Sequence, residues 1–256
     1  MKFKFLNKTS LTFKRGPVGC LLIHGFTSTP DEMLPLGEFL ANHDLSVHIS
    51  LLPGHGTTPA ELARVKWTDW TRQVREDFWA LQQTCDAVFV AGLSMGGTLA
   101  LHLGSHHPVA GIITYAAPVE YYRPIFRWIP CVKNFYRYYP KKHGNDIGDP
   151  EMKKRIENYP VYPLPAILEF QKIVSHTFDD LPEIVAPTLV MHSNQDHTIP
   201  LNNADLILNR IRSREKQKII FEKSFHLLTV DFDREQLQLE TLKFIQNHNI
   251  RISEKK

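Results

Sequence analysis

Short apolar runs alternate along this chain with stretches whose apolar residues recur at helical spacing. Val18-Gly19-Cys20-Leu21-Leu22-Ile23 reads as a strand ending at His24-Gly25. Thr29-Pro30-Asp31-Glu32 then offers a capping residue, a proline for the first helical position and an acid after it, which predicts a helix to about His43. Leu45 to Ser50 is the next strand, closed by the turn Pro53-Gly54-His55-Gly56. Trp67, Trp70, Val74, Phe78 and Leu81 fall on one helical face and read as core. Asp86-Ala87-Val88-Phe89-Val90-Ala91 is apolar on both faces, as a central parallel strand must be when helices cover both sides. Good helix formers, Thr98 to Leu103, follow it, with Pro108 as a stop.

The alternation resumes with a strand from Ala110 to Thr114. A long irregular stretch, Pro118 to about Pro182, interrupts it. Pro187 to His192 is a strand, Leu201 to Arg212 a helix, Lys218 to Phe221 a strand and Asp233 to His248 a final helix. Strand–helix alternation of this kind specifies a mostly parallel sheet wrapped by helices, an α/β fold. The interruption holds enough residues for a small helical cap. The expected organisation is a core of residues 1–117 and 183–256 with a cap (lid) insertion at 118–182.

Composition narrows the class. With 256 residues and 43% hydrophobic content, the chain can bury a core without disulfides or metal. Thirty Lys and Arg against 27 Asp and Glu give a net charge of +3, which does not suggest nucleic acid. Cys20, Cys85 and Cys131 are far apart with no C-x-x-C spacing, and read as reduced thiols of a cytoplasmic protein. The first residues lack a signal-peptide pattern, and no apolar run approaches the ~18 residues of a membrane span.

Gly92-Leu93-Ser94-Met95-Gly96 sits between the central strand and its helix. A chain this long shows G-x-S-x-G by chance about one time in ten, so the flanks carry the argument. A serine on a sharp strand-to-helix turn presents its hydroxyl above the sheet edge. That hydroxyl needs a base, and the base needs an orienting acid, both on loops at the carboxyl ends of strands. Asp196 follows the strand at Leu189-Val190-Met191-His192, and His226 follows Ile219-Ile220-Phe221, both on the required sheet edge. The candidate catalytic residues are therefore Ser94, Asp196 and His226. Glu120 is the rival acid; Asp231 and Asp233 read as helix-start residues, and Asp205 lies inside a helix. The backbone N–H of Met95 and, from the loop His24-Gly25-Phe26-Thr27, that of Phe26 are the candidate oxyanion donors, with Gly25 expected to turn the loop inward.

These segments together resemble the α/β-hydrolases. His24-Gly25-Phe26-Thr27 with Pro30, Pro53-Gly54-His55-Gly56, Gly92-Leu93-Ser94-Met95-Gly96-Gly97, Asp196-His197 with Pro200, and Ser224-Phe225-His226 with Asp231 are similar to the bacterial carboxylesterase and monoacylglycerol lipase group. The similarity runs from about Val18 to His248. The resemblance implies an α/β-hydrolase fold with a helical cap, the roles given above for Ser94, Asp196, His226, Phe26 and Met95, and no cofactor. It implies a cap helix near Asp149-Pro150-Glu151-Met152 up to Pro160, with Glu157 placed to meet a glycerol head group. His24 is a further candidate for shaping the pocket.

Tyr121 to Tyr139 departs from that group in its aromatic and basic content. Arg123, Arg127, Lys133, Arg137, Lys141 and Lys142 are interleaved with Phe126, Trp128, Tyr136 and Tyr138. The segment is either a solvated cap face, which is preferred, or a transient contact with an anionic lipid interface. His102 and His106 are four apart, with His107 adjacent, but no Cys or carboxylate near them in sequence completes a metal set, so no metal is expected. The expected activity is hydrolysis of short- or medium-chain acyl esters or monoacylglycerols through an acyl-enzyme, by a monomer or homodimer acting on a small ester or lipid. A thioesterase or acyltransferase would use the same three residues, as would a carbon–carbon bond hydrolase. A non-catalytic binding module on the same core is the reading from another class.

Overall fold

Side chains alternate across a strand, so each central strand of this chain feeds two cores. In the computed structural model, which describes residues 7–120, 136–141 and 144–253, Leu21 and Ile23 enter one buried cluster while Cys20 and Leu22 enter the other. Val88 and Val90 likewise oppose Phe89, Ala91 and Leu93. This is why these runs read as apolar throughout.

The chain begins with β1 (Leu11–Phe13), β2 (Val18–Ile23), α1 (Leu34–Ala41), β3 (Ser46–Ser50), α2 (Pro59–Leu62) and α3 (Trp67–Gln82). Next come β4 (Ala87–Leu93), α4 (Met95–His106) and β5 (Gly111–Tyr115). Between β5 and the rest of the sheet lie β6 (Tyr138–Pro140), α5 (Pro150–Arg155), β7 (Val161–Pro163) and α6 (Leu164–Asp180). The chain then makes β8 (Thr188–Ser193), α7 (Asn202–Arg210), β9 (Lys216–Phe221) and α8 (Arg234–Ser253).

Among the described residues, seven strands form the main sheet in the order β1-β3-β2-β4-β5-β8-β9. Only β1 runs antiparallel to its neighbour in that sheet. The strand order reverses between β2 and β4, and ligands of open α/β sheets bind at the carboxyl ends of strands flanking such a point. Ile23 pairs with Gly92 there, so the loop after β2 and the turn after β4 leave the sheet side by side. α3, α4, α6 and α7 cover one face, and α1 and α8 the other.

Two expectations are corrected. The stretch after Pro118 is not irregular throughout: α6 is a 17-residue helix. Pro165 sits in its first turn, and Ala166, Ile167, Phe170, Ile173, Val174 and Thr177 are buried at helical spacing against the core. The helix expected from Thr29 is broken. Pro30–Glu32 is a 3-10 turn capped by Thr29, and α1 starts only after Met33. The Glu32 carboxylate does not turn back to cap; it reaches Gly25 instead. Trp67 is only partly buried, while Trp70, Val74, Phe78 and Leu81 form the expected buried stripe. Arg123, Phe126, Arg127, Trp128, Cys131, Lys133 and Lys142 lie outside the described residues. Among those that are described, no helix is long and apolar enough to cross a membrane.

Candidate active site

The turn after β4 places Ser94 by force. Its φ of 53° and ψ of −119° lie where L residues rarely sit, which costs of order 1–3 kcal/mol. The surrounding bonds hold it there: Ser94 N–H donates to Tyr115 O at 2.8 Å, and Ser94 O accepts from Gly97 N–H at 2.9 Å. A side chain at Gly96 could not be fitted, since its Cβ would lie 2.1 Å from Ile23 O. The motif's glycine therefore serves close approach of the turn to β2.

His226 bridges the other two candidates. Its Nε2 lies 2.9 Å from Ser94 Oγ and its Nδ1 lies 2.7 Å from Asp196 Oδ2. Asp196 Oδ1 accepts the N–H groups of Thr198 and Ile199, both at 2.8 Å. His192 Nε2 lies 3.3 Å from Asp196 Oδ2 and 3.1 Å from Ile199 O. Burial opposes ionisation of Asp196, but His226, His192 and the Ile199 N–H outweigh it. They hold the carboxyl well below the usual carboxylate range. Burial lowers the affinity of His226 for a proton, yet Asp196 overcomes this and raises its pKa above the usual imidazole value. Glu120 is exposed, and its backbone N–H binds Asn203 Oδ1. Of the two rival acids, Asp196 is the one in contact with His226.

Asp231 and Asp233 do more than start a helix. Asp233 Oδ2 accepts from Lys223 and Ser224 N–H, and Asp231 Oδ2 accepts from Phe225 N–H. The loop carrying His226 is thus pinned by two carboxylates that follow it in sequence.

Met95 is the first residue of α4, so its N–H has no intrahelical partner. Phe26 and Ser94 line the same cavity. The loop after β2 turns through Thr27, at φ 67°, rather than through Gly25. Gly25 N–H donates to Glu32 Oε1, and a Cβ on Gly25 would lie tightly, 3.0 Å, against that same oxygen. His24 donates from Nδ1 to Gly25 O and accepts Leu52 N–H at Nε2. Burial pushes it down to about 4 and keeps it neutral. Both ring nitrogens are committed to holding loops.

The cavity beside Ser94 has a volume of about 490 Å³. Phe26, Leu164, Ile167 and Phe170 give it apolar wall, while Lys141, Asn145 and Asn158 add polar groups. Neither His24 nor Glu157 is among its lining residues; the neighbour of Glu157, Asn158, is. Asn158 Oδ1 is buried and has no hydrogen-bond partner among the described residues. Lys141 and Glu32 are site residues that the sequence pattern did not single out. Lys141 Nζ donates to Thr27 Oγ1 at 2.6 Å and lies 4.7 Å from the centre of the Tyr162 ring. Burial pushes its ammonium down to about 7, with Glu32 opposing. Burial likewise raises the Glu32 carboxyl above the usual range. No spacing rule could have joined Glu32 to a lysine more than a hundred positions away.

Comparison with known proteins identifies the family. The chain matches the family described as serine aminopeptidase, S33, over residues 18–233. It is 36% identical over 242 residues to a thermostable monoacylglycerol lipase of Bacillus sp. (strain H-257), covering 92% of this chain and 93% of that one. It is 26% identical over 244 residues to a carboxylesterase of Bacillus subtilis (strain 168), covering 95% and 98%. A solved structure from work on the metagenome-derived lipolytic enzymes LipS and LipT superposes with a TM-score of 0.90 at 34% identity, covering 94% of this chain and 98% of that one. The chain belongs to the S33 family of α/β-hydrolases.

Proposed function

We propose that the protein hydrolyses carboxylic esters, with monoacylglycerols and medium-chain acyl esters as its substrate class, through an acyl-enzyme on Ser94. The observation that carries this reading is the continuous hydrogen-bonded line from Asp196 through His226 to Ser94 Oγ. Asp196 fixes the tautomer of the neutral His226 ring; His226 Nε2 takes the Ser94 proton as Oγ attacks the ester carbonyl, and Asp196 stabilises the imidazolium that forms. The N–H groups of Phe26 and Met95 receive the oxyanion. His226 then protonates the leaving alcohol. Water attacks the acyl group, losing its proton to His226, which returns it to Ser94 Oγ as the acyl–oxygen bond breaks.

The cavity supports the substrate class. At about 490 Å³ it falls in the range of small-molecule sites. Phe26, Leu164, Ile167 and Phe170 suit an acyl chain, and the unpartnered Asn158 Oδ1 suits a hydroxyl of the alcohol. The described residues of the 118–182 insertion, Tyr162, Leu164, Ile167 and Phe170 among them, act as the cap and supply much of this wall. The polar contact first expected of Glu157 passes to Asn158. No cofactor enters the scheme.

A panel tests the reading. It pairs p-nitrophenyl esters of rising chain length with monoacyl- and diacylglycerols, an acyl-CoA and an aminoacyl p-nitroanilide. The expected result is the highest kcat/KM on medium-chain esters and monoacylglycerols. Preference for the acyl-CoA would assign a thioesterase, and preference for the anilide would assign a peptidase.

A further inference from the structure

α4 and α6 lie side by side with their N-terminal ends at the cavity, where α4 follows Ser94 and α6 contributes Leu164 and Ile167. Their C-terminal ends meet at a second cluster. His102 and His106, one turn apart on α4, converge there with Asp180, the last residue of α6. One ligand atom from each lies within 4.8 Å of the others. His102 Nδ1 is 3.2 Å from Asp180 Oδ2, and His106 Nε2 is 3.9 Å from the same oxygen. The sequence supplied the histidine pair but not its carboxylate, which stands 78 positions from His102.

The hydrogen bonds around His106 fix its tautomer. Ser105 Oγ donates to His102 O at 2.8 Å. His106 Nδ1 lies 2.9 Å from that carbonyl and 2.8 Å from Ser105 Oγ, whose own proton is already committed. Nδ1 therefore carries the ring proton and donates. In the neutral ring, Nε2 then presents a lone pair toward a carboxylate oxygen. Two acceptors facing one another repel unless a cation or a proton lies between them. A histidine whose other nitrogen donates to a backbone carbonyl is also the usual arrangement of a metal ligand.

We propose that His102, His106 and Asp180 bind a divalent transition-metal ion, zinc by ligand preference, that clips the C-terminal ends of α4 and α6 together. Two imidazoles and a carboxylate are zinc ligands, and bonds of about 2.0–2.2 Å in a tetrahedron set ligand atoms roughly 3.3 Å apart. The two imidazole–carboxylate separations, 3.2 and 3.9 Å, bracket that value. His102 coordinates through Nδ1, moving its proton to Nε2. The half-exposed position of His106 leaves water to complete the shell. The site stands eight to twelve residues along α4 from Ser94, or about 12–18 Å. It is separate from the reaction and does not depend on the ester-hydrolase reading. Its effect is on the seating of α6, which contributes Leu164, Ile167 and Phe170 to the cavity wall: the bound ion resists separation of α6 from α4.

The test uses tag-free, chelator-treated full-length protein with zinc chloride, read by titration calorimetry and thermal unfolding. The wild type should bind a single equivalent and gain about 5 °C in Tm at saturating zinc. His106→Gln, at an exposed position, and Asp180→Asn should each lose the binding and the shift. His43→Gln, a surface histidine elsewhere, should keep both. Cobalt(II) should give a visible absorption band with wild type that His106→Gln lacks. Absence of zinc binding in the wild type overturns the proposal. So does binding that survives His106→Gln, which would place the ion elsewhere, including at His226.

Discussion

The Asp231 carboxylate takes the backbone N–H of Phe225 at 2.7 Å and so holds the peptide next to His226. The same buried side chain accepts the N–H groups of Gly148 and Asp149, each at 2.8 Å, and of Phe232 at 2.9 Å. It ties the His226 loop to the segment inserted after β5. Each buried donor left without a partner costs about 1–3 kcal/mol. Asp231→Ala should therefore lower stability by about 3 kcal/mol or more, or at least roughly 6–12 °C in Tm for a chain of this size. A thermal melt checks this. A loss under about 1 kcal/mol would show that the loop holds itself.

The contact between Asp196 and His226 sets a pH dependence with a definite sign. Asp196 raises the pKa of His226 in the folded protein, and the proposed mechanism needs the neutral ring. Activity should be full at alkaline pH and fall as pH drops through that raised value. The acid limb of kcat/KM should lie above the ordinary imidazole value of about 6.5. Asp196→Asn should move the limb to lower pH and cut kcat by about 10⁴-fold. Glu120→Gln should change neither, because Glu120 is exposed and lies outside this line. Rate–pH profiles of the three proteins decide the assignment of the acid.

Lys141 should make stability itself pH-dependent. Its pKa is about 7 in the fold, below its usual value in an unfolded chain, so the unfolded state binds more protons between the two. Stability should rise with pH across that window. The burden of the buried ammonium is greatest below pH 7 and gone above the unfolded value. Lys141→Met should remove the rise and make the protein more stable than wild type at pH 6, with the gap closing by pH 10. Urea unfolding at several pH values measures this. Parallel curves for the two proteins would place Lys141 in water.

What the sequence revealed, and what it withheld, follows from the range of each interaction. The parallel strands were legible because burial on both faces leaves unbroken apolar runs, as in Val88 to Ala91. Ser94, Asp196 and His226 were legible because each follows such a run at the same sheet edge. α6 falls inside the stretch expected to be irregular, although its apolar spacing is present in the sequence, with Pro165 in its first turn. The pairing of Lys141 with Thr27, the reach of Glu32 to Gly25 and the approach of Asp180 to His102 depend on tertiary packing. No local pattern encodes them. The chain leaves α5 after Arg155, and a one-residue shift that no local pattern encodes puts Asn158 rather than Glu157 among the lining residues.

The nucleophilic role of Ser94 is tested most directly by covalent labelling. Native protein is treated with a fluorophosphonate probe, digested and mapped by mass spectrometry, with heat-denatured protein and Ser94→Ala alongside. One adduct is expected, on Ser94, in native protein only, with loss of p-nitrophenyl ester turnover in step with its formation. An unlabelled Ser94 in native protein, or turnover that persists in Ser94→Ala, would contradict it.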